Sequence, residues 1–338
     1  MEMDIKTYLT KHARSARDVG VATAAKNAGL EAAVFAYSQY VEQRGRGDLI
    51  WSSDAPITVI LDATRLDLWR DVAPDIDWLP AECDRSGWSV GSCSPEWIAN
   101  TFDPSVMPKQ RVGVVTANPF SMKPPERVPV LDNTPLDENP TVAECDYVFR
   151  DAWGCDVSGG YLDVTHPETV INRAWDAWNT WDVDRLVVHL MQPHIPFRSR
   201  PEWFGDRANL SHFGEPDSPV NQQYQAENTE IWFRIRDGDV DREGVWDAYC
   251  DNLRWGLDAV KRLVDAVDVD VLLSSDHGNA LGEWGLWSHP ARMQTPQLRR
   301  VPWVTVPGRG ESFDRVEVTE YAHASMGVEE QLSALGYT

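Results

Sequence analysis

Four short apolar segments, each ending on a polar residue, constrain the fold of this chain more than any other feature. They are ITVILD (57–62), RVGVVTAN (111–118), RLVVHLMQ (185–192) and VDVLLSSD (269–276). Continuous apolar runs of this length are typical of strands that are buried on both faces of a parallel sheet. Segments with helical periodicity lie between them, including residues 168–181 and 245–267. The sequence therefore predicts an α/β fold with a mostly parallel central sheet flanked by helices.

The chain of 338 residues divides by composition into two parts. Residues 1–50 contain Ala-rich helical patterns and predict a helical N-terminal extension. Residues 51–338 predict one larger domain, because no repeat or low-complexity linker interrupts them. Within it, the stretch of about 199–240 is rich in Pro, Gly, Asp and Asn, and we expect it to be a surface insertion near the functional site.

The charge balance indicates the solvent environment of the protein and the partners that it disfavours. A formal net charge of −22 with little lysine is typical of proteins from salt-loving organisms, in which high salt screens the self-repulsion. The scarcity of basic patches argues against nucleic acid or an anionic membrane as a partner. Five cysteines without close pairing, no signal peptide and no apolar stretch long enough to span a bilayer predict a cytoplasmic protein.

Polar residues follow each of the four apolar segments. They are Asp62, Asn118, the segment from His189 to His194, and the pair Asp276–His277. In open parallel sheets, ligands bind at the carboxyl ends of the strands. These residues therefore form a site hypothesis, although a polar strand end can also be merely solvated.

The pair Asp276–His277 indicates a metal site. A carboxylate and an imidazole on adjacent residues can both reach one ion if the chain turns sharply, and Gly278 permits such a turn. Asp62 offers a third ligand. Oxygen ligands with one imidazole suit Ca²⁺, Mg²⁺, Mn²⁺ or Zn²⁺ and do not choose among them. The alternative is that both aspartates only cap the helices that follow.

Three blocks of the sequence resemble the sulfatases and their relatives in the alkaline phosphatase superfamily. SSDHGNALGEWGLWSH resembles the DHG block of that family, ILDATRLDLW its opening block, and VHLMQPHIPF its HxxxPHxPF block. The resemblance extends from about residue 56 to about residue 302 and implies an alkaline phosphatase-like three-layer sandwich. By resemblance, Asp62, Asp276 and His277 are metal ligands, and His194 and His289 contact the charged oxygens of the ester or its leaving group.

The nucleophile of this family lies at the start of a helix after the first strand, where this chain has SVGSCSPEWIANTF. Cys93-Ser94-Pro95 matches the start of the CxPxR motif, in which the cysteine matures to formylglycine. Trp97 stands where that motif has arginine, and Glu96 replaces a small residue, which argues against conversion. We expect Cys93 to be the nucleophile, with Ser92 and Ser94 as rivals, and a small buried cysteine in a helix cap as the structural alternative.

Together these features predict a metal-dependent hydrolase of sulfate or phosphate esters, acting on a small molecule or a glycan. Leu190 stands where a second metal site would need aspartate, so one divalent cation is expected. Asn118 would donate a hydrogen bond to a non-bridging oxygen. His189 is as readily a structural residue. Two alternatives stay open: a phospho-group transferase of the same fold, and an inactive relative that serves as a binding protein. The oligomeric state is not predicted.

Overall fold

The computed structural model describes residues 47–122, 134–204 and 231–319, with a few isolated positions before residue 47. In this part of the chain the central sheet has six strands in the order β12-β8-β1-β7-β3-β4. The strands are β1 (Ile57–Leu61), β3 (Val112–Thr116), β4 (Val142–Tyr147), β7 (Arg185–Leu190), β8 (Val271–Ser274) and β12 (Val304–Val306). Neighbours from β8 to β4 pair in parallel, and β12 pairs antiparallel to β8 at one edge.

The four strands predicted from the apolar segments form the middle of this sheet. Every residue of β1, β3, β7 and β8 is buried, as expected for strands covered on both faces. The edge strand β4 is instead only partly buried, with Ala143 and Glu144 exposed and only Tyr147 fully buried. The prediction of a mostly parallel central sheet flanked by helices is therefore confirmed.

The helices of the described residues are α1 (Leu66–Val72), α2 (Ser94–Thr101), α3 (Pro167–Thr180), α4 (Ile231–Asp237), α5 (Arg242–Ala266) and α6 (Pro296–Arg299). Helices α3 and α5 pack on each other; α3 also packs on β7 and β3, and α5 on β1. Helix α5 begins at Asp241, whose carboxylate accepts a hydrogen bond of 2.8 Å from the Gly244 amide. Its buried residues Leu253, Leu257, Val260 and Val264 follow the helical period.

Short strands form three small two-stranded sheets outside the central one: β2 (Ser86–Trp88) with β11 (Arg300–Pro302), β5 (Cys155–Val157) with β6 (Gly160–Leu162), and β9 (Ala280–Leu281) with β10 (Trp287–Ser288). The last hairpin follows directly on the DHG block. Where residues are described, no helix is both long and apolar enough to cross a bilayer. The predicted extension over residues 1–50 lies almost entirely outside the described residues, as does the middle of the predicted insertion, residues 205–230.

Candidate active site

The carboxyl ends of four adjacent strands bring the sequence-predicted residues to one place. Strand β1 lies between β8 and β7, and β3 pairs with the other side of β7. Asp62 follows β1 directly, while Asp276 and Asn118 follow β8 and β3 after a short gap. This is the edge of a parallel sheet at which ligands bind.

Asp62, Asp276 and His277 form a buried group of potential metal ligands. One ligand atom from each residue lies within 4.8 Å of the others, and all three side chains are fully buried. The Nδ1 atom of His277 is 2.9 Å from the Gly278 carbonyl oxygen and must donate to it, so the neutral ring presents an unprotonated Nε2. That Nε2 faces Asp276 Oδ2 at 3.4 Å and Asp62 Oδ1 at 3.7 Å.

These contacts fit a bound cation. An unprotonated nitrogen and two carboxylates that are buried this close together repel one another, and a cation between them removes this repulsion. Asp62 Oδ1, an atom of this group, is buried without a hydrogen-bond partner, and so is Nε2 of the neighbouring His189. Two carboxylates and an imidazole brought together in this way provide a ligand set for one divalent cation.

The turn after β1 holds Asp62 and Asp276 in position. Ala63 has a φ of 62°, a left-handed conformation that is rare for a residue with a side chain. Its amide donates to Asp276 Oδ1 at 3.0 Å, and its carbonyl accepts a hydrogen bond from the Tyr249 hydroxyl. The residue that follows Asp62 in the chain thus holds the Asp276 carboxylate in place through its backbone amide.

Gly278 is required for a reason other than the sharp turn expected from the sequence. Its amide donates to the Leu298 carbonyl at 2.9 Å, which brings the start of α6 close to the DHG block. A Cβ atom at Gly278 would lie 2.2 Å from the Gln297 carbonyl oxygen. The glycine therefore permits a close approach of two backbone segments behind the metal group.

Helix α2 carries a hydroxyl into the same group. Ser94, its first residue, is fully buried, and its Oγ lies 2.7 Å from Asp276 Oδ2, 3.2 Å from His277 Nε2 and 3.3 Å from Asp62 Oδ2. The positive end of a helix favours negative charge at this position. Of the three candidate nucleophiles in the segment, the one that contacts the potential metal ligands is Ser94.

Cys93, the expected nucleophile, is the N-cap of α2. Its backbone is extended and its side chain is 5% exposed. Burial, followed by the negative charges of Glu96 and Asp276, raises the pKa of this thiol well above its usual range. Ser92 Oγ lies 2.7 Å from Glu96 Oε2 and 2.9 Å from the Pro290 carbonyl oxygen, away from the metal group.

Glu96 and Trp97, which depart from the formylglycine motif, both have structural contacts. Glu96 Oε2 accepts hydrogen bonds from the Ser92 amide at 2.9 Å and the Arg292 amide at 3.0 Å. Trp97 is buried, and its ring meets that of His189 edge-on with 5.5 Å between centroids. These residues fix the start of α2 against the segment around residue 292 and against β7.

His194 and His289 lie side by side above the metal group. The His289 ring stacks on His277 with 4.7 Å between centroids, and it meets His194 edge-on at 5.2 Å. Burial, and then the neighbouring imidazoles, lowers the pKa of His289 well below its usual value, and burial also lowers the pKa of His194. His289 is 9% exposed, more than the predicted metal ligands, so a ligand would approach from its side.

Asn118 contacts Asp62, one of the potential metal ligands. Its Nδ2 donates to Asp62 Oδ2 at 2.7 Å, and its Oδ1 accepts from the Phe120 amide at 2.9 Å. This geometry makes Asn118 an orienting partner of Asp62, and the role as a donor to a substrate oxygen stays a prediction.

Sequence reasoning assigned no role to two residues that join the blocks, Asn279 and Arg65. Asn279 Oδ1 accepts from His289 Nδ1 at 2.7 Å, which leaves Nε2 of the neutral ring unprotonated. Arg65 donates to the Asn279 carbonyl at 2.8 Å and to Glu283 Oε1 at 3.0 Å. Two sequence signals could have pointed to these residues: Asn279 is polar and directly follows the DHG tripeptide, and Arg65 is an arginine three positions after Asp62.

Comparison with known proteins gives likenesses at the level of structure. No family model and no curated protein matches the chain. The soluble domain of lipooligosaccharide phosphoethanolamine transferase A from Neisseria meningitidis is similar with a TM-score of 0.43 and 15% identity, over 78% of this chain and 80% of that one. The integral membrane form of the same transferase gives 0.44 and 12%, over 90% of this chain and 59% of that one.

A protein solved with its substrate D-glucosamine-2-N,6-O-disulfate gives a TM-score of 0.37 and 12% identity, over 83% of this chain and 76% of that one. The neighbours are thus sulfatases and phosphoethanolamine transferases, both of the alkaline phosphatase superfamily that the sequence blocks resemble. These TM-scores and identities are too low to carry information on activity, substrate or cofactor.

Proposed function

We propose that this chain is a metal-dependent hydrolase of phosphate or sulfate esters, with Ser94 as its nucleophile. The observation that carries the proposal is the position of Ser94 Oγ, 2.7 Å from Asp276 Oδ2 and 3.2 Å from His277 Nε2, at the first residue of a helix. A hydroxyl that shares its surroundings with potential metal ligands is in the place where a nucleophile is activated.

Asp62, Asp276 and His277 would hold one divalent cation, which when bound neutralises charge on the ester oxygens and favours the deprotonated hydroxyl. Ser94 Oγ forms a bond to phosphorus or sulfur as the bond to the leaving oxygen, in line with it, breaks. The Asp276 carboxylate is placed to accept the hydroxyl proton. Water then attacks the ester on Ser94, which restores the serine and releases the inorganic anion.

His194 and His289 would face the ester from the open side of the group. In the free protein their lowered pKa values keep them neutral. A bound anionic ester adds nearby negative charge and favours their protonation, so either ring can then donate a proton to the leaving oxygen. Asn118 supports the reaction by orienting Asp62 through the bond of 2.7 Å.

Phosphate esters are the substrates we propose to test first. The resemblance links sulfate ester hydrolysis to formylglycine, and Glu96 and Trp97 occupy the positions at which the maturation motif requires other residues. Both side chains are buried and tied into the fold, so the motif is replaced by structural contacts. A serine nucleophile needs no maturation.

The test compares two adjacent residues. The full chain, loaded in turn with Zn²⁺, Mn²⁺, Mg²⁺ and Ca²⁺, is assayed on aryl phosphate and aryl sulfate, and acid-quenched samples are examined by peptide mass spectrometry. We expect Ser94→Ala to lower kcat by about a thousandfold or more and to remove the covalent adduct. Cys93→Ala is the matched control, and we expect its kcat to stay within about tenfold of the parent.

The opposite pattern, loss of activity in Cys93→Ala or a formylglycine mass at Cys93, would overturn the assignment of Ser94. Transfer of the group to an added alcohol in preference to water would identify a transferase of the same fold. Metal binding without turnover on either ester would favour a binding protein. A cytoplasmic location in a salt-rich cell remains part of this proposal and fits the net charge of −22.

A further inference from the structure

His189 has a buried nitrogen that hydrogen bonding does not account for. The residue lies on β7 beside Ile60 of β1, and it is 2% exposed. Its Nε2 has no hydrogen-bond partner, although it is 3.5 Å from Asp62 Oδ2 and 3.7 Å from Asp276 Oδ2. Hydrogen bonds between nitrogen and oxygen are usually about 2.7–3.2 Å long, so neither contact is one.

The same distances are those expected for two ligands of one cation. With metal–ligand bonds of about 2.0–2.2 Å, neighbouring ligand atoms are roughly 3.0–3.6 Å apart. The distances among Ser94 Oγ, His277 Nε2 and the two carboxylates run from 2.7 Å to 3.7 Å. The contact of His189 Nε2 with Asp62 Oδ2, at 3.5 Å, falls within the expected separation, and that with Asp276 Oδ2, at 3.7 Å, lies just above it.

We propose that His189 is a further ligand of the metal, bound through Nε2 together with Asp62, Asp276 and His277. This inference rests on the proposed function, because it presupposes the cation. The Trp97 ring packs on the His189 imidazole in a T-shaped arrangement with 5.5 Å between the centroids, which restricts the orientation of the imidazole. Trp97 therefore has a role in positioning His189. It stands at the position where the formylglycine motif has arginine.

A second imidazole also narrows the choice of metal. Two imidazole nitrogens beside carboxylate and hydroxyl oxygens suit Zn²⁺ or Mn²⁺, whereas Ca²⁺ and Mg²⁺ prefer ligand sets made of oxygen alone. A ligand set in which His277 is the single imidazole is compatible with all four ions. We therefore expect the full chain to bind Zn²⁺ or Mn²⁺ more tightly than Ca²⁺ or Mg²⁺.

The test counts imidazoles at the metal. The full chain is loaded with one equivalent of Cu²⁺ as a paramagnetic probe, and pulsed EPR measures the number of coordinated imidazoles. We expect two in the parent, one in His189→Ala and one in His277→Ala. His166→Asn is the matched control, because His166 caps α3 through a 3.2 Å contact with the Glu168 amide, and it should leave the count at two.

Zn²⁺ affinity, measured by competition with a chromophoric chelator, should fall about tenfold or more in His189→Ala and stay unchanged in His166→Asn. If His189→Ala fails to fold, His189→Gln takes its place. A single imidazole in the parent, or two in the His189 variant, would overturn the assignment while leaving the metal site intact. A parent that binds no metal would overturn the proposed function as well, so the two failures are distinguishable.

Discussion

Glu96 is the residue whose removal should most clearly show how the start of α2 is held. Its side chain is 8% exposed, and one oxygen, Oε2, accepts from the Ser92 amide, the Ser92 hydroxyl and the Arg292 amide at 2.9, 2.7 and 3.0 Å. The other oxygen lies 3.6 Å from Nη1 of Arg299, which is itself buried. Glu96→Ala would thus remove the common acceptor of three donors and a charge partner of the buried Arg299.

The magnitude follows from these contacts. A hydrogen bond to a charged group contributes about 1.5–3 kcal/mol, and breaking a buried ion pair costs about 3–5 kcal/mol. These contributions share one carboxylate and do not add fully. We therefore expect Glu96→Ala to lower the free energy of unfolding by about 3–5 kcal/mol, and Glu96→Gln, which keeps an acceptor oxygen, by less.

Urea denaturation at neutral pH measures this change. Glu144→Ala is the control, because Glu144 is exposed on the edge strand β4 and should change the free energy of unfolding by no more than about 0.5 kcal/mol. A Glu96→Ala protein as stable as this control would show that the carboxylate does not hold the segment, and the structural reason given for the altered motif would be wrong.

Two further predictions concern pH and salt. Burial, together with the positive charges of Arg198 and Arg262, lowers the pKa of His166 from 6.5 to about 4. The unfolded chain therefore takes up this proton at a higher pH than the folded one, and stability should fall by roughly 2–3 kcal/mol as the pH drops from above 6.5 through 4. His166→Asn, which can cap α3 without titrating, should remove that part of the pH dependence of urea denaturation. With a net charge of −22, the thermal midpoint should rise between about 0.1 and 2 M KCl, and a falling midpoint would contradict the interpretation of the acidity as an adaptation to salt.

The middle of the sheet could be predicted from the sequence because its strands are covered on both faces. Strands β1, β3, β7 and β8 fall inside the four apolar segments, and α3 and α5 begin and end within a few residues of the predicted helical segments. Strand β4, with the sequence VAECDY, was missed because this edge strand is only partly buried and lacks a continuous apolar run. The strand order could not be predicted, since it depends on which distant segments pair.

The residues of the candidate site could be predicted where the sequence of a single block identifies them. The structure brings Asp62, Asp276 and His277 together, as the sequence indicated, because parallel strands end at one edge. What the sequence leaves open are contacts made across blocks. The hydrogen bond of Asn118 to Asp62 and that of Asn279 to His289 depend on side-chain direction, and no spacing within one block determines it.

The choice between Cys93 and Ser94 shows why such detail needs the fold. The two residues are adjacent, but Cys93 has extended backbone angles as the N-cap, and Ser94 is already helical. A single step across a helix start turns successive side chains in different directions. The thiol therefore lies in a buried pocket where its pKa is raised, while the hydroxyl lies among the potential metal ligands. Glu96 and Trp97, the two departures from the formylglycine motif, contact the segment before this helix and strand β7, and so they contribute to holding the helix start at which Ser94 lies.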